Sequence, residues 1–142
     1  MKNIYIATSG EIKHKAQELC TLLEKYGFNI TFKWWLSYTQ NGNNEYHQMS
    51  PKQFKEIDKI QLIGEIDLMA IEKSDWLILI NDKNITPRGS FIEAGYALGK
   101  GKRVICIGDL PKSAMVSRFI HFKDINDFIV TLNNEDLSLI HI

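Results

Sequence analysis

The chain has 142 residues, 44% hydrophobic and 24% charged, the size and composition of one globular unit able to bury a proper core. Its 17 basic residues balance 17 acidic ones, so the charge points to neither nucleic acid nor an anionic membrane as partner. No segment approaches the length of a transmembrane helix, and the apolar run in "MKNIYIATSG" is too short for a signal peptide, so a cytoplasmic protein is expected.

Apolar runs alternate with amphipathic stretches along the chain. "IYIAT" (4–8) reads as a short buried strand. Residues 11–26 place Ile12, Ala16, Leu19, Leu22, Leu23 and Tyr26 at helical spacing, with Gly27 as the stop. "NITFKWW" (29–35) reads as a second strand, followed by a long polar loop. Ser50-Pro51-Lys52-Gln53 is a good helix start, and that helical region runs to about Ser74. "DWLILIND" (75–82) has the composition of a central strand buried on both faces. A helix from about Ser90 to Gly99 and a fourth strand, "RVICIG" (103–108), come next. "SAMVSRF" (113–119) is one or two helical turns, "FIHF" (119–122) a short fifth strand, and Asp124 caps a last helix through about Leu132.

This order predicts an α/β fold in a single domain, residues 1–142: a flavodoxin-like or Rossmann-like three-layer sandwich with a five-stranded parallel sheet. Ligands in such sheets sit beyond the carboxyl ends of the strands, near positions 8–10, 34–50, 82–90 and 108–115. Cys20, on a helical apolar face, and Cys106, inside "VICIG", are expected as buried inert thiols. His14, His47, His121 and His141 share no metal-ligand spacing with each other or with the cysteines, so neither metal nor cofactor is expected.

Two carboxylates stand out. Ser90-Phe91-Ile92-Glu93 fits a capping box, in which Glu93 would bond back to the cap residue's amide. Yet the helix starts past the carboxyl end of "LILI", where this architecture binds ligands, and Gly89, Gly95 and Ala97 leave room for close approach. Asp67 lies within the stripe Ile60, Ile63, Ile66, Ala70 and Ile71, away from Glu65 and Glu72. A carboxylate there is costly unless it is paired or faces a cavity. Either it braces a loop, or it lines a cleft shared with Glu93. Two carboxylates in one cleft suit glycosyl transfer: one attacks or stabilises the anomeric carbon, the other manages the leaving group's proton. Gly64, mid-helix, fits a close approach one turn earlier.

Weaker candidates surround the pair. Thr8-Ser9-Gly10 is either an anion or hydroxyl site or a plain helix cap, and it is no dinucleotide fingerprint. Of Trp34 and Trp35, pointing to opposite faces of a strand end, one belongs to the core and the other could stack on a planar ligand. Tyr46 and His47 are stacking groups or plain surface. Arg88, before the Gly89-Ser90 turn, meets a phosphate or lies over the helix end.

"NIYIATSG", "EIDLMAIEKSDWLILI" and "RGSFIEAGYALGKGKRVICIG" together resemble the nucleoside 2-deoxyribosyltransferase superfamily, which includes 2'-deoxynucleoside 5'-phosphate N-hydrolases. The resemblance covers residues 3 to about 120, and its most specific part is Glu-x-Gly-Tyr-Ala with an Asp-Leu upstream. It implies that Glu93 attacks C1' of a deoxyribose, that Asp67 helps protonate the leaving base, and that the sugar then passes to another base or to water. It also implies a homodimer or higher homo-oligomer, with sites completed across the interface. Pro87 stands where transferases resemble one another in carrying Asp and the nucleotide hydrolases carry Ser. Arg88 and Ser113 lean towards a 5'-phosphate; Pro87 leans the other way. Trp35, Gly89 and Ser90 complete the expected substrate contacts. The expected ligand is thus a nucleoside or nucleotide; a non-catalytic nucleotide-binding or sensing module on the same fold is the alternative.

Overall fold

The computed structural model describes residues 2–37, 57–85 and 88–134 of the chain. Five strands form one sheet: β1 (Asn3–Ala7), β2 (Asn29–Ile30), β3 (Trp76–Asn81), β4 (Arg103–Gly108) and β5 (Ile120–Phe122). Their order is β2-β1-β3-β4-β5, and every pairing is parallel. Four α-helices accompany them: α1 (Lys13–Lys25), α2 (Ile57–Glu72), α3 (Gly89–Gly99) and α4 (Ile125–Asn133). Because β1 steps outward to β2 and the chain then crosses back to β3, right-handed crossovers put α1 on one face and α2 with α3 on the other. This is the flavodoxin-like sandwich the element order predicts.

The core lies where the composition puts it. All six residues of β3 are buried, as are Val104, Ile105, Cys106 and Ile107 of β4, and Ile4, Ile6, Leu77, Ile78 and Leu79 lie fully inside. Helix α1 adds Ala16, Leu19, Cys20 and Leu23, its apolar face at 3–4 residue spacing. It ends where expected: Gly27 takes φ +86°, and the Phe28 amide turns back to the Leu23 carbonyl at 3.1 Å. Asp124 caps α4, accepting from the Asp127 amide at 2.8 Å. Both thiols are buried, which raises Cys20 to about 11 and Cys106 to about 12. Among the described residues no helix is long and apolar enough to cross a membrane.

Several boundaries differ from the sequence reading. The strand expected over 29–35 stops at Ile30, and Trp34–Ser37 form a 3-10 turn instead. Along β1 the carbonyls of Lys2 and Ile4 accept the Asn29 and Thr31 amides, but the next carbonyl on that edge, Ile6, accepts the Trp34 indole N–H at 2.7 Å. An indole thus replaces the last rung of the ladder, and the chain is free to leave the sheet. Strand alternation therefore does not apply to Trp34 and Trp35: both rings are buried, edge to face with centroids 5.5 Å apart. The stretch after Ser9 opens as a 3-10 turn, Gly10–Ile12, before α1 begins. Residues 113–119 supply only a 3-10 turn, Ala114–Val116. In α2, Ile66 is 41% exposed and lies with Leu62 and Met69 on the outer side, so the inward stripe is Ile63, Asp67, Ala70 and Ile71. Gly64 is exposed, and among the described residues an added Cβ would meet nothing within 4 Å. The expected start at Ser50-Pro51, the loop with Tyr46 and His47, and Pro87 lie outside the described residues.

Candidate active site

Glu93 does not close a capping box. Helix α3 begins at Gly89 with Arg88 in the cap position, and that cap has no side-chain hydrogen bond. The box needs its acid three residues after the cap; Glu93 is five after Arg88, beyond the first turn. With nothing to do at the helix start, its carboxylate turns to the sheet. Oε2 accepts a hydrogen bond from the Tyr5 hydroxyl at 2.5 Å. Tyr5 is 1% exposed, in the middle of β1, so its phenol needs an interior partner and Glu93 supplies it.

Asp67 is the second acid. It stands on the half-buried side of α2, and its Oδ1 is buried with no hydrogen-bond partner among the described residues. Helices α2 and α3 pack against each other, which brings Asp67 close enough for its charge to act on Glu93. Burial pushes the Glu93 carboxyl up to about 8; the Tyr5 hydrogen bond pulls it down, and the Asp67 charge pushes it up again. Burial alone raises Asp67 to about 6. Asp67 ionises first, and its charge then makes the second ionisation harder. Between about pH 6 and about pH 8 the pair therefore carries one proton. Neighbouring carboxyls whose titrations are pushed apart are what proton-managing chemistry requires.

The other predicted positions divide. Thr8 and Ser9 end β1 at the expected edge, but both are engaged locally. Thr8 Oγ1 donates to the Ser9 carbonyl at 2.9 Å, and Ser9 Oγ accepts from the Glu11 amide at 3.4 Å, so the helix-cap reading is the realised one. Gly10 is buried beside them. Ser90 is buried in the first turn of α3, whereas Arg88 and Gly89 are exposed. Ser113, on the loop beyond β4, is exposed, and its Oγ accepts from the Met115 amide at 3.2 Å. Trp35, at 4% exposure, is packed in the core and offers no open face for stacking.

A different hollow of about 320 Å³ opens on the α1 and α4 side, lined by Lys15, Asn81, Gly108, Lys123 and Asp124 among others. It contains neither Glu93 nor Asp67, and the geometry that could do chemistry lies with that pair. Tyr5 is the one site residue the sequence reading passed over. Its signal was a phenol inside an otherwise apolar central strand, which had to find a partner.

No family model matches the chain, and no curated protein matches it. Solved structures do match it, among them two over nearly its whole length. A CMP N-glycosidase from Clostridium botulinum superposes with a TM-score of 0.56 at 19% identity, covering 94% of this chain and 99% of that one. A 2-deoxyribosyltransferase from Bacillus psychrosaccharolyticus superposes with a TM-score of 0.60 at 20% identity, covering 89% of each. The chain therefore has the fold that this N-glycosidase and this deoxyribosyltransferase share.

Proposed function

We propose that the protein cleaves the N-glycosidic bond of a 2'-deoxynucleoside or 2'-deoxynucleotide through a glycosyl-enzyme ester on Glu93. The observation that carries this is the pair itself: Glu93 fixed by Tyr5 at one oxygen, with Asp67 near enough for its charge to act on it. The names of the two structural neighbours, one a glycosidase and one a transferase, agree with this reaction class.

In the empty site the proton rests on Glu93, the higher of the two values. The reactive arrangement is the other one, with Glu93 anionic and the proton on Asp67. Positive charge growing at C1' as the bond breaks favours the anion beside it, so the substrate itself drives the exchange. Glu93 then attacks C1', the C1'–N bond breaks, and Asp67 gives its proton to the departing base. In the second half an acceptor, water or another base, loses a proton to Asp67 as it attacks C1' and frees Glu93. Tyr5 holds one carboxylate oxygen in place through both halves. Arg88, Gly89, Ser90 and Ser113 are the proposed contacts to sugar and phosphate. A homodimer belongs to the same reading: Leu62, Ile66 and Met69 form an exposed apolar line along α2 that a second copy would cover, and light scattering decides it.

The test is incubation with deoxynucleosides and their 5'-monophosphates, with and without a free acceptor base. Base release without an acceptor means hydrolysis; exchange of bases means transfer. Glu93→Gln should abolish both, and intact-protein mass spectrometry should find a deoxyribosyl adduct on wild type alone. Full activity in Glu93→Gln would remove the nucleophile assignment.

A further inference from the structure

Three donors from the stretch 96–102 converge on Glu72, the last residue of α2. The Tyr96 hydroxyl and the Lys100 ammonium both reach its carboxylate, the ammonium at 3.4 Å. The Lys102 ammonium takes its main-chain carbonyl at 2.8 Å. Lys100 also stands 5.5 Å from the centroid of the Tyr96 ring. The closing turn of α3 and the link to β4 thus grip the closing turn of α2.

The place of this clasp gives it meaning. Glu72 follows Asp67 by five residues on α2, and Tyr96 follows Glu93 by three on α3, so each partner sits about a turn from a carboxylate. We infer that the Tyr96–Glu72 clasp is a positioning device, setting how far Asp67 stands from Glu93 by tying together the helices that carry them. This rests on the chemistry proposed for that pair.

The fully buried residues of α3 include Ala94 and Ala97, too small to act as deep wedges. Glu72 is exposed, and exposed pairs contribute little to global stability. A misplacement of about 1 Å in a reacting site can nonetheless cost on the order of 100-fold in rate. The clasp should therefore govern turnover far more than folding. The groups facing Glu93 are the Tyr5 phenol from β1 and the Asp67 carboxyl from α2; only the second moves when the clasp opens.

The experiment compares Tyr96→Phe, Glu72→Ala and Glu72→Gln in the full chain by three readouts: base-release kinetics, carbon-13 titration of the Glu93 carboxyl, and thermal midpoint. Tyr96→Phe and Glu72→Ala should each lower kcat about tenfold with KM nearly unchanged. In both, the Glu93 titration should move down as the Asp67 charge recedes. Glu72→Gln still accepts from the phenol and should restore most of the rate. Unchanged kcat and unchanged titration in the first two variants would overturn the inference, as would a loss of kcat that merely follows a fall in thermal midpoint. If wild type releases no base from any substrate, the proposed reaction fails, and the Glu93 titration alone then decides the clasp.

Discussion

The Tyr5 phenol and the Glu93 carboxylate, 88 residues apart in sequence, meet at 2.5 Å where β1 faces α3. Tyr5→Phe keeps the ring and the packing but deletes that donor. Glu93 then loses the hydrogen bond that favours its anion, and its titration should rise above about 8. Activity near neutrality should fall by about 10- to 100-fold, and stability by about 1–3 kcal/mol for the acceptor left unpaired. A pH–rate profile whose upper limb stays in place would contradict this.

Asp67→Asn removes the charge that raises Glu93 and the proton offered to the leaving base. The Glu93 titration should fall, while base release should drop about 100- to 10,000-fold, the range of a lost general acid. A substrate whose base leaves without needing a proton should recover much of that loss. Equal losses for both substrates would place Asp67 outside proton delivery.

The two raised carboxyls also fix a direction for stability. Each folded value lies above its ordinary one, 3.8 for Asp67 and 4.5 for Glu93, so the folded chain holds both protons more tightly than the unfolded chain. That contribution is complete below the ordinary values and is lost as pH rises, through about 6 for Asp67 and about 8 for Glu93. Each pH unit of displacement corresponds to at most about 1.4 kcal/mol. Wild type should therefore melt lower at about pH 9 than at about pH 5, and Glu93→Gln should narrow the gap. Melts that leave the gap as wide in the variant would place the burden elsewhere. The same two titrations predict a bell-shaped rate profile with limbs near 6 and 8.

Gly108 tests the scaffold. It ends β4 at φ +107°, and a Cβ there would lie 2.1 Å from the Asn81 carbonyl oxygen. Gly108→Ala should cost at least about 2–3 kcal/mol, from backbone strain and displacement of Asn81 together. Chemical denaturation measures it; a loss below about 1 kcal/mol would mean the β3–β4 ends separate freely.

The succession of strands and most helices along the chain was legible because burial dictates it. "DWLILI" and "RVICI" can only be interior strands, and Gly27 and Asp124 mark helix ends by local chemistry. Asp67 was legible too, as an acid on an apolar stripe. What escaped the sequence was partner choice. Nothing in "SFIE" tells that α3 starts one residue early and frees Glu93, nor in "IYIA" that Tyr5 collects it. Trp34 reads as strand by propensity, yet its indole N–H fills a main-chain vacancy that only the assembled sheet creates.

That indole has a consequence for the company the protein keeps. Beyond β2, which pairs only Asn29 and Ile30 with β1, the flank of β1 would invite a foreign strand to add itself. Trp34 occupies the acceptor such an intruder would need at Ile6, and a ring cannot be extended as a strand can. On this flank a side chain, and not a neighbouring strand, closes the last carbonyl of β1.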